Sequence, residues 1–388
     1  MKVVCAPDSL KGSLSSVDTA AAMGRGVRRA LPDAEVVELP IADGGEGTVE
    51  AMVRATGGEL VWGEVCGPVP GTVVRAAWGW LGGGGDGGGH GKTAVVELAA
   101  AAGLALVPEG ERDPGRTTTY GVGQQLAAAL DAGAERIVLG LGGSSTNDGA
   151  CGMAAALGGV FRGRLGGAGA VMEGPVTGER LIEVEDVDLS GLDPRLAGRL
   201  EVACDVTNPL TGCQGAAAVY GPQKGATAEQ VMALEKGLAN LGRVWRECLG
   251  MDVVAMPGAG AAGGCGGGVV AMLGGRLRRG IGLVLDVVGF AERVRGADLV
   301  LTGEGCLDGQ SASGKAVMGV AGAAGEAGVE TVALVGAVKD GASGLLEQGL
   351  AGYRVIGEGL SEAESVRRAG ELMETAAERV SRERLVKE

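Results

Sequence analysis

Strand-length apolar runs alternate with helical segments at both ends of this 388-residue chain. KVVCAPD (2–8) reads as a buried strand, SVDTAAAMGRGVRRAL (16–31) as a helix, AEVVELPIAD (34–43) as a second strand and TVEAMVRATGG (48–58) as its helix. Toward the other end come ADLVLTGEG (297–305), a helix over 315–325, TVALVGAV (331–338), a further helix, YRVIGEG (353–359) and a polar-faced helix over 361–386. Apolar strands that alternate with helices in this way form parallel sheets covered on both faces. Two strands at one end and three at the other, separated by more than half of the sequence, predict an α/β fold. It is a flavodoxin-like parallel-sheet domain with a large inserted second α/β domain. Boundaries are expected near residues 66 and 285, so that 1–66 plus 285–388 form a discontinuous first domain and 67–284 the insertion.

Inside the insertion, 73–81 and 93–101 resemble an antiparallel pair around the loop GGGGDGGGHG (82–91), read as a surface hairpin without chemistry. Further strands are expected at 135–142 and 200–206, and a helix at 121–133. The 77 glycines follow no Gly-X-Y period and hydrophobic residues reach 46%, so the chain is globular rather than collagen-like or disordered. Four Trp, three Tyr and two Phe leave the core to aliphatic side chains and provide no stacking platform for single-stranded nucleic acid. A formal charge of −14 argues against nucleic acid as a partner.

The one histidine, His90, lies in the glycine loop, which excludes histidine triads and His-based metal cages. Eight cysteines without a CxxC pair read as reduced thiols rather than a zinc site or a disulfide framework. No signal peptide and no apolar run near the ~20 residues of a membrane span are present. A cytoplasmic protein acting on small molecules, with no membrane partner, is therefore expected; a homo-oligomer is left open.

Ligands of open parallel sheets bind beyond the carboxyl ends of the strands, where strand order reverses. The loops expected there are APDSLKGSLS (6–15) and TGEGCLDGQSASGK (302–315), with ADGGEGT (42–48) beside them. They bring Asp8, Lys11, Asp43, Glu46, Glu304, Asp308 and Lys315 to one edge. Carboxylates can hold Mg²⁺ or act as a base, while lysines neutralise phosphoryl oxygens. Taken singly, a residue such as Asp43 before two glycines reads equally well as a turn residue. Of 34 Lys plus Arg only eight are lysine, and three of these (Lys11, Lys224, Lys315) abut glycine inside polar loops, where backbone N–H groups can join the ammonium on an anion.

The insertion adds LGGSSTNDG (141–149), an anion cradle at a helix start with the hydroxyls of Ser144, Ser145 and Thr146, and Asp148 as a cap or metal contact. RTTTYGVG (116–123) offers three threonines where an N-cap explains one. ACDVTNPLTG (203–212) ends a strand with Asp205 and Asn208. Two familiar motifs are discounted. GAGAAG (258–263) lacks a βαβ setting, and GQSASGKA (309–316) has Ala316 where a P-loop needs a hydroxyl for Mg²⁺.

With these blocks laid out, the chain resembles the bacterial two-domain glycerate kinase family along nearly its whole length. The resemblance rests on APDSLKGSLS, ADGGEGT, ELAAAAGL, TTTYGVG, LGGSSTNDG, ACDVTNPLTG, GPQKGAT, PGAGAAGGCG and LTGEGCLDGQSASGK, in that order. It implies ATP-dependent phosphorylation of D-glycerate with Mg²⁺, in a cleft between the two domains. The chain departs from the family pattern at Leu10 for Phe, Cys306 for Arg, Ser311 for Thr and Val317 for Pro; the lost cation at Cys306 matters most.

On this resemblance, Lys11, Asp43, Glu304 and Lys315 are the expected catalytic residues. Lys11, Lys315 and Lys224 would face phosphates or the glycerate carboxylate. Asp43 and Glu304 would bind Mg²⁺, with Asp308, or take the hydroxyl proton, with Asp8 and Asp205 as competitors. Gly142, Gly143, Ser144, Ser145 and Thr146 would cradle substrate or nucleotide phosphate. Thr117, Thr118 and Thr119 would hydrogen-bond the same ligand, and Ser9 and Asn208 complete the expected binding set. The product 2-phosphoglycerate is favoured over 3-phosphoglycerate. Two other classes predict different behaviour: an NAD-dependent hydroxy-acid oxidoreductase resting on GAGAAG, and a non-catalytic two-domain metabolite-binding protein.

Overall fold

The computed structural model describes residues 1–83, 92–164, 169–308 and 316–386. Its strands are β1 (Lys2–Cys5), β2 (Glu35–Glu38), β3 (Glu59–Cys66), β4 (Val73–Trp80), β5 (Thr93–Glu97), β6 (Arg136–Gly140) and β7 (Val160–Gly163). They continue with β8 (Ala170–Val171), β9 (Val184–Asp188), β10 (Leu200–Ala203), β11 (Arg276–Arg278), β12 (Leu299–Leu307), β13 (Thr331–Val338) and β14 (Gly352–Val355). One sheet has the order β14-β13-β12-β1-β2 and is parallel throughout, the strand order expected of a flavodoxin-like domain. Val3 pairs with Val36 on one side and Leu299 on the other, so the first strand is central and its apolar run is buried.

The second sheet has the order β11-β10-β6-β5-β4-β3. Its β5, β6, β10 and β11 run parallel, and β4 and β3 are added antiparallel. The expected antiparallel pair on either side of the glycine loop is thus β4 and β5, while His90 and the loop itself (84–91) lie outside the described residues. A small antiparallel sheet, β8-β7-β9, stands apart. Strand β3 has no counterpart in the sequence reading, and it pairs with β4 rather than with the parallel sheet, although it precedes residue 66. Its pattern explains the miss: most of its residues are exposed or half-buried, so it carries little apolar periodicity. The polar helix expected over 361–386 is broken at Arg368 into Glu362–Arg367 and Ala369–Leu385.

Local chemistry explains the elements that matter for the site. The helix Ser16–Ala30 begins at Ser15, whose Oγ accepts the Asp18 N–H, and it buries Met23 and Val27. Gly26 lets it lie against the helix Ala369–Leu385, since a Cβ there would collide with the Glu374 carbonyl. The two larger sheets share a core layer. Val49, Met52 and Val53 of the helix Thr48–Thr56, and Ile281, Leu283 and Val284 of the helix Gly280–Val287, pack with Val4 and Leu39 from one side and Val95, Val138 and Ala203 from the other. Each fully buried aliphatic side chain in this layer contributes roughly 1.5–3 kcal/mol. The carboxyl ends of both sheets therefore meet at one cleft.

Candidate active site

The loop after β1 closes on itself, Leu10 and Leu14 exchanging backbone hydrogen bonds of 2.9 and 3.0 Å, with Gly12 at φ +78° beyond the tip. Lys11 is held exposed at that tip, and the Asp8 N–H is anchored on the Gly303 carbonyl of β12 at 2.9 Å. After β2, Asp43 accepts the Gly45 N–H at 3.1 Å in a tight turn, and the helix Thr48–Thr56 follows at once. These two loops line a cavity of about 680 Å³ with Asp8, Ser9, Lys11, Asp43 and Glu46 on its walls.

The Asp43 turn also touches the other sheet. The Gly142 N–H donates to the Gly44 carbonyl at 2.9 Å, and a Cβ on Gly142 would stand 2.5 Å from the Gly45 Cα. Gly44, at φ +95°, is similarly pressed on Ala203 at the end of β10. Glycine is required on both sides of this junction because backbone meets backbone. Beyond it lies a second cavity of about 350 Å³, walled by Leu104, Leu141 and Val206 and carrying Ser144, Asp205, Tyr220 and Lys224. Asp43, Gly142 and Gly143 line both cavities.

The electrostatics of this cleft are unusual on both sides. Asp8 is largely withdrawn from water, which with the nearby charge of Asp43 and, more weakly, Glu304 pushes its pKa up to about 7 against the opposing Ser9 N–H and Lys11. Asp205 is raised by the cleft walls that withhold water and then by Asp43, although it accepts the Gly280 N–H at 2.8 Å. Lys224 is 3% exposed, and its ammonium donates to Ser144 Oγ at 2.8 Å and to the Thr146 carbonyl at 2.7 Å. Among the described residues no carboxylate lies within ion-pair distance of it, and burial pushes its pKa down to about 8. Repelling carboxylates and a buried cation without an ion-pair partner are the marks of a ligand site.

The structure brings Asp8, Ser9, Lys11, Asp43, Gly142, Gly143, Ser144, Asp205 and Lys224 to the cavity walls. Glu304 is half-buried inside β12, which runs on to Leu307 where a loop was expected, and Asp308 follows the strand end. Lys315 lies outside the described residues. Among the described residues no group of three or more His, Cys, Asp or Glu side chains is placed to hold a metal, so Asp43, Glu304 and Asp308 make no preformed cage.

Other expected contacts sit behind the walls. Thr117, Thr118 and Thr119 are buried and line neither cavity; Thr117 Oγ1 donates to the Ser145 carbonyl, and Thr119 donates twice to the fully buried Asp148. Asp148 also takes the Gly152 N–H at 3.2 Å and so clasps the starts of two helices, Tyr120–Asp131 and Cys151–Ala156. Ser145 is tied to the Ala102 carbonyl and Asn208 to Tyr220 and the Gln214 carbonyl, so both shape the loops that carry the cavity. Thr146 lends its carbonyl to Lys224.

Sequence reasoning missed Glu97, at the end of β5, whose buried carboxylate takes the Val49 N–H at 3.0 Å and seats the helix that follows the Asp43 turn. Its signal was the ELAAAAGL block, read for resemblance and not for this charge. Tyr220 was missed for lack of any pattern, and the discounted GAGAAG segment supplies Ala261 and Ala262 to the smaller cavity, Ala262 at φ +51°.

A comparison with protein families matches residues 3–385 to the glycerate kinase family. The chain belongs to the glycerate kinase family. As a family member it is an enzyme of the kinase class, and neither the oxidoreductase nor the non-catalytic binding reading finds support. Its relatives include the glycerate kinase of Bacillus subtilis (strain 168), 44% identical over 379 residues, covering 97% of this chain and 96% of that one. The glycerate 2-kinase of Escherichia coli (strain K12) is 45% identical over 341 residues, covering 88% of this chain and 86% of that one. Among solved structures, one described as a candidate glycerate kinase 2 from Salmonella typhimurium LT2 is 42% identical with a TM-score of 0.84, covering 98% of this chain and 97% of that one. All eight cysteines are free, and no helix among the described residues is long and apolar enough to cross a membrane.

Proposed function

We propose that this family member transfers the γ-phosphoryl group of ATP to the 2-hydroxyl of D-glycerate, giving 2-phosphoglycerate. One observation carries the reading: two cavities, one from each sheet, share a single wall of Asp43, Gly142 and Gly143. Two ligands seated in them would meet there, and phosphoryl transfer needs donor and acceptor to be held together in this way. The 2-position follows the name carried by the Escherichia coli relative. ATP and glycerate are intracellular solutes, so the setting is cytoplasmic. The segments of the parallel sheet and the long segment between them act as two domains on either side of the cleft.

Mg²⁺ fits the carboxylates present, because Asp43 raises the pKa of both Asp8 and Asp205 and a divalent cation would relieve that repulsion. Asp43 would hold it together with phosphate oxygens, as is usual for this ion, and Glu304 adds negative charge to the same site through its effect on Asp8. The bound ion supplies charge neutralisation on the transferring group. Asp43 is the carboxylate common to both cavities and, on this reading, would orient the acceptor hydroxyl and take its proton. Asp8 holds a proton in about half of the molecules near pH 7, which lessens its repulsion of a triphosphate. Lys11 and Lys224 supply positive charge, one on each side of the junction.

The test couples product to enolase and pyruvate kinase. With ATP, Mg²⁺ and D-glycerate, signal without phosphoglycerate mutase reports 2-phosphoglycerate. Signal only with mutase would move the transfer to the 3-hydroxyl, and absence of ADP would end the kinase reading for this chain.

A further inference from the structure

We propose that the smaller cavity is the glycerate pocket, with Lys224 as the anchor of its carboxylate, and that the larger cavity seats the nucleotide. The assignment rests on the kinase reading above and adds which ligand goes where.

Size and wall chemistry separate the two spaces. The smaller, about 350 Å³, has aliphatic walls in Leu104, Leu141 and Val206, and suits a compact acid from which water is to be excluded. The larger, about 680 Å³, has Ser9, Gly12, Ser13 and an exposed Lys11 beside the carboxylates of Asp8, Asp43, Glu46 and Glu50, and matches a long, partly solvated triphosphate that arrives with a divalent cation.

Charge separates them further. An ammonium has three donors, and two of those of Lys224 are taken by Ser144 Oγ and the Thr146 carbonyl. One remains for a ligand. A single buried cation whose acidic neighbour, the fully buried Asp148, makes no ion pair with it is complemented by one carboxylate, whereas a triphosphate in the same enclosed space would bring several charges against it. Asp205 and Asp43, which line the same pocket, accept hydrogen bonds and donate none when ionised, which selects hydroxyls over a second carboxylate. An α-hydroxy acid therefore has one orientation, carboxylate on Lys224 and hydroxyls toward the wall shared with the nucleotide. Tyr220, oriented by its 2.7 Å bond to Asn208 Oδ1, lines the same pocket.

The experiment measures steady-state kinetics with each substrate varied in turn for the wild type, Lys224→Met and Lys11→Met. Lys224→Met is expected to raise KM for D-glycerate on the order of 100-fold and to leave KM for ATP within about threefold. Lys11→Met is expected to do the reverse. Alongside, D-glycerate binding is measured calorimetrically at pH 9 in buffers of different ionisation enthalpy, with a non-hydrolysable ATP analogue present. The wild type should take up roughly one proton on binding, as the carboxylate restores the charge of Lys224, and Lys224→Met should take up none.

If Lys224→Met fails to fold, Ser144→Ala, which removes one ammonium partner, is expected to raise KM for D-glycerate severalfold and not that for ATP. An ATP defect in either variant with normal glycerate affinity would overturn the assignment. A wild type that binds D-glycerate with proton uptake and produces no ADP would instead overturn the kinase reading while supporting the pocket.

Discussion

Replacing Lys224 by Met, a side chain of similar length, removes a charge the fold holds at a cost. Lys224 is 3% exposed, and burial lowers its pKa from the ordinary 10.5 to about 8. At about 1.36 kcal/mol per unit, that difference is roughly 3 kcal/mol against the charged form in the folded protein. Between pH 8 and 10.5 the unfolded chain keeps the proton that the native chain has released, so raising the pH favours the native state. The wild type should therefore gain roughly 3 kcal/mol relative to Lys224→Met between pH 7 and 10.5. At pH 7 the two should be of similar stability, because the relieved charge is offset by a Thr146 carbonyl left without its donor, about 1–3 kcal/mol. Turnover should fall all the same, by about 100-fold in kcat/KM, as expected when one donor to a developing or bound anion is lost. Urea unfolding of both proteins at the two pH values, with kinetics at pH 7, provides the check. If the stability difference does not change with pH, Lys224 is not a cation disfavoured by burial and the account of the smaller cavity fails with it.

The remaining predictions follow from the same cleft. Asp8→Asn should gain stability over the wild type as pH rises from 4 to 7, since in that window the native Asp8 still holds a proton that the unfolded chain has lost. The gain should approach roughly 4 kcal/mol, and parallel unfolding curves at pH 5 and pH 8 would contradict it. Gly142→Ala forces a Cβ onto the Gly45 backbone and should cost about 1–3 kcal/mol in thermal unfolding, with a loss of kcat larger than any change in secondary structure by circular dichroism. Glu97→Gln should lower kcat with a stability loss of about 1 kcal/mol, because the helix after Asp43 loses the charge at its start; unchanged kcat would assign Glu97 to structure alone. Ala262→Gly relieves a left-handed alanine and should stabilise the fold by up to about 1 kcal/mol, read as a raised Tm.

The parallel sheet was legible because β1, β12 and β13 are apolar runs buried on both faces, and such runs need no partner to be read. Strand β3 was not, since its exposed residues give no period and its place is set by β4. For the site, Asp43 and the glycines at 142–143 stood out as polar or glycine positions after strands. Their contact across two sheets did not, because it depends on residues about a hundred positions apart meeting backbone to backbone. The same limit explains the threonines at 117–119. Three hydroxyls in a row look like ligand contacts in a sequence, and only the fold shows that Asp148 lies among them.

The position of β1 between β2 and β12 has a consequence for how the protein is made. When the first strands leave the ribosome, the partner that completes their sheet, beginning at Leu299, has not been synthesised. All the strands of the six-stranded sheet, β3 to β11, emerge before it. The second sheet can thus form during synthesis, while Val3 and the apolar face of the helix Ser16–Ala30 wait for the partners that complete their cluster, Leu299, Leu301 and Met373, more than half the chain away. A nascent chain stalled before β12 would have the Lys224 pocket and no seat for Asp8, whose N–H rests on the Gly303 carbonyl. The site is thus completed only once β12 has been made, and until then the first strand lacks one of its two neighbours.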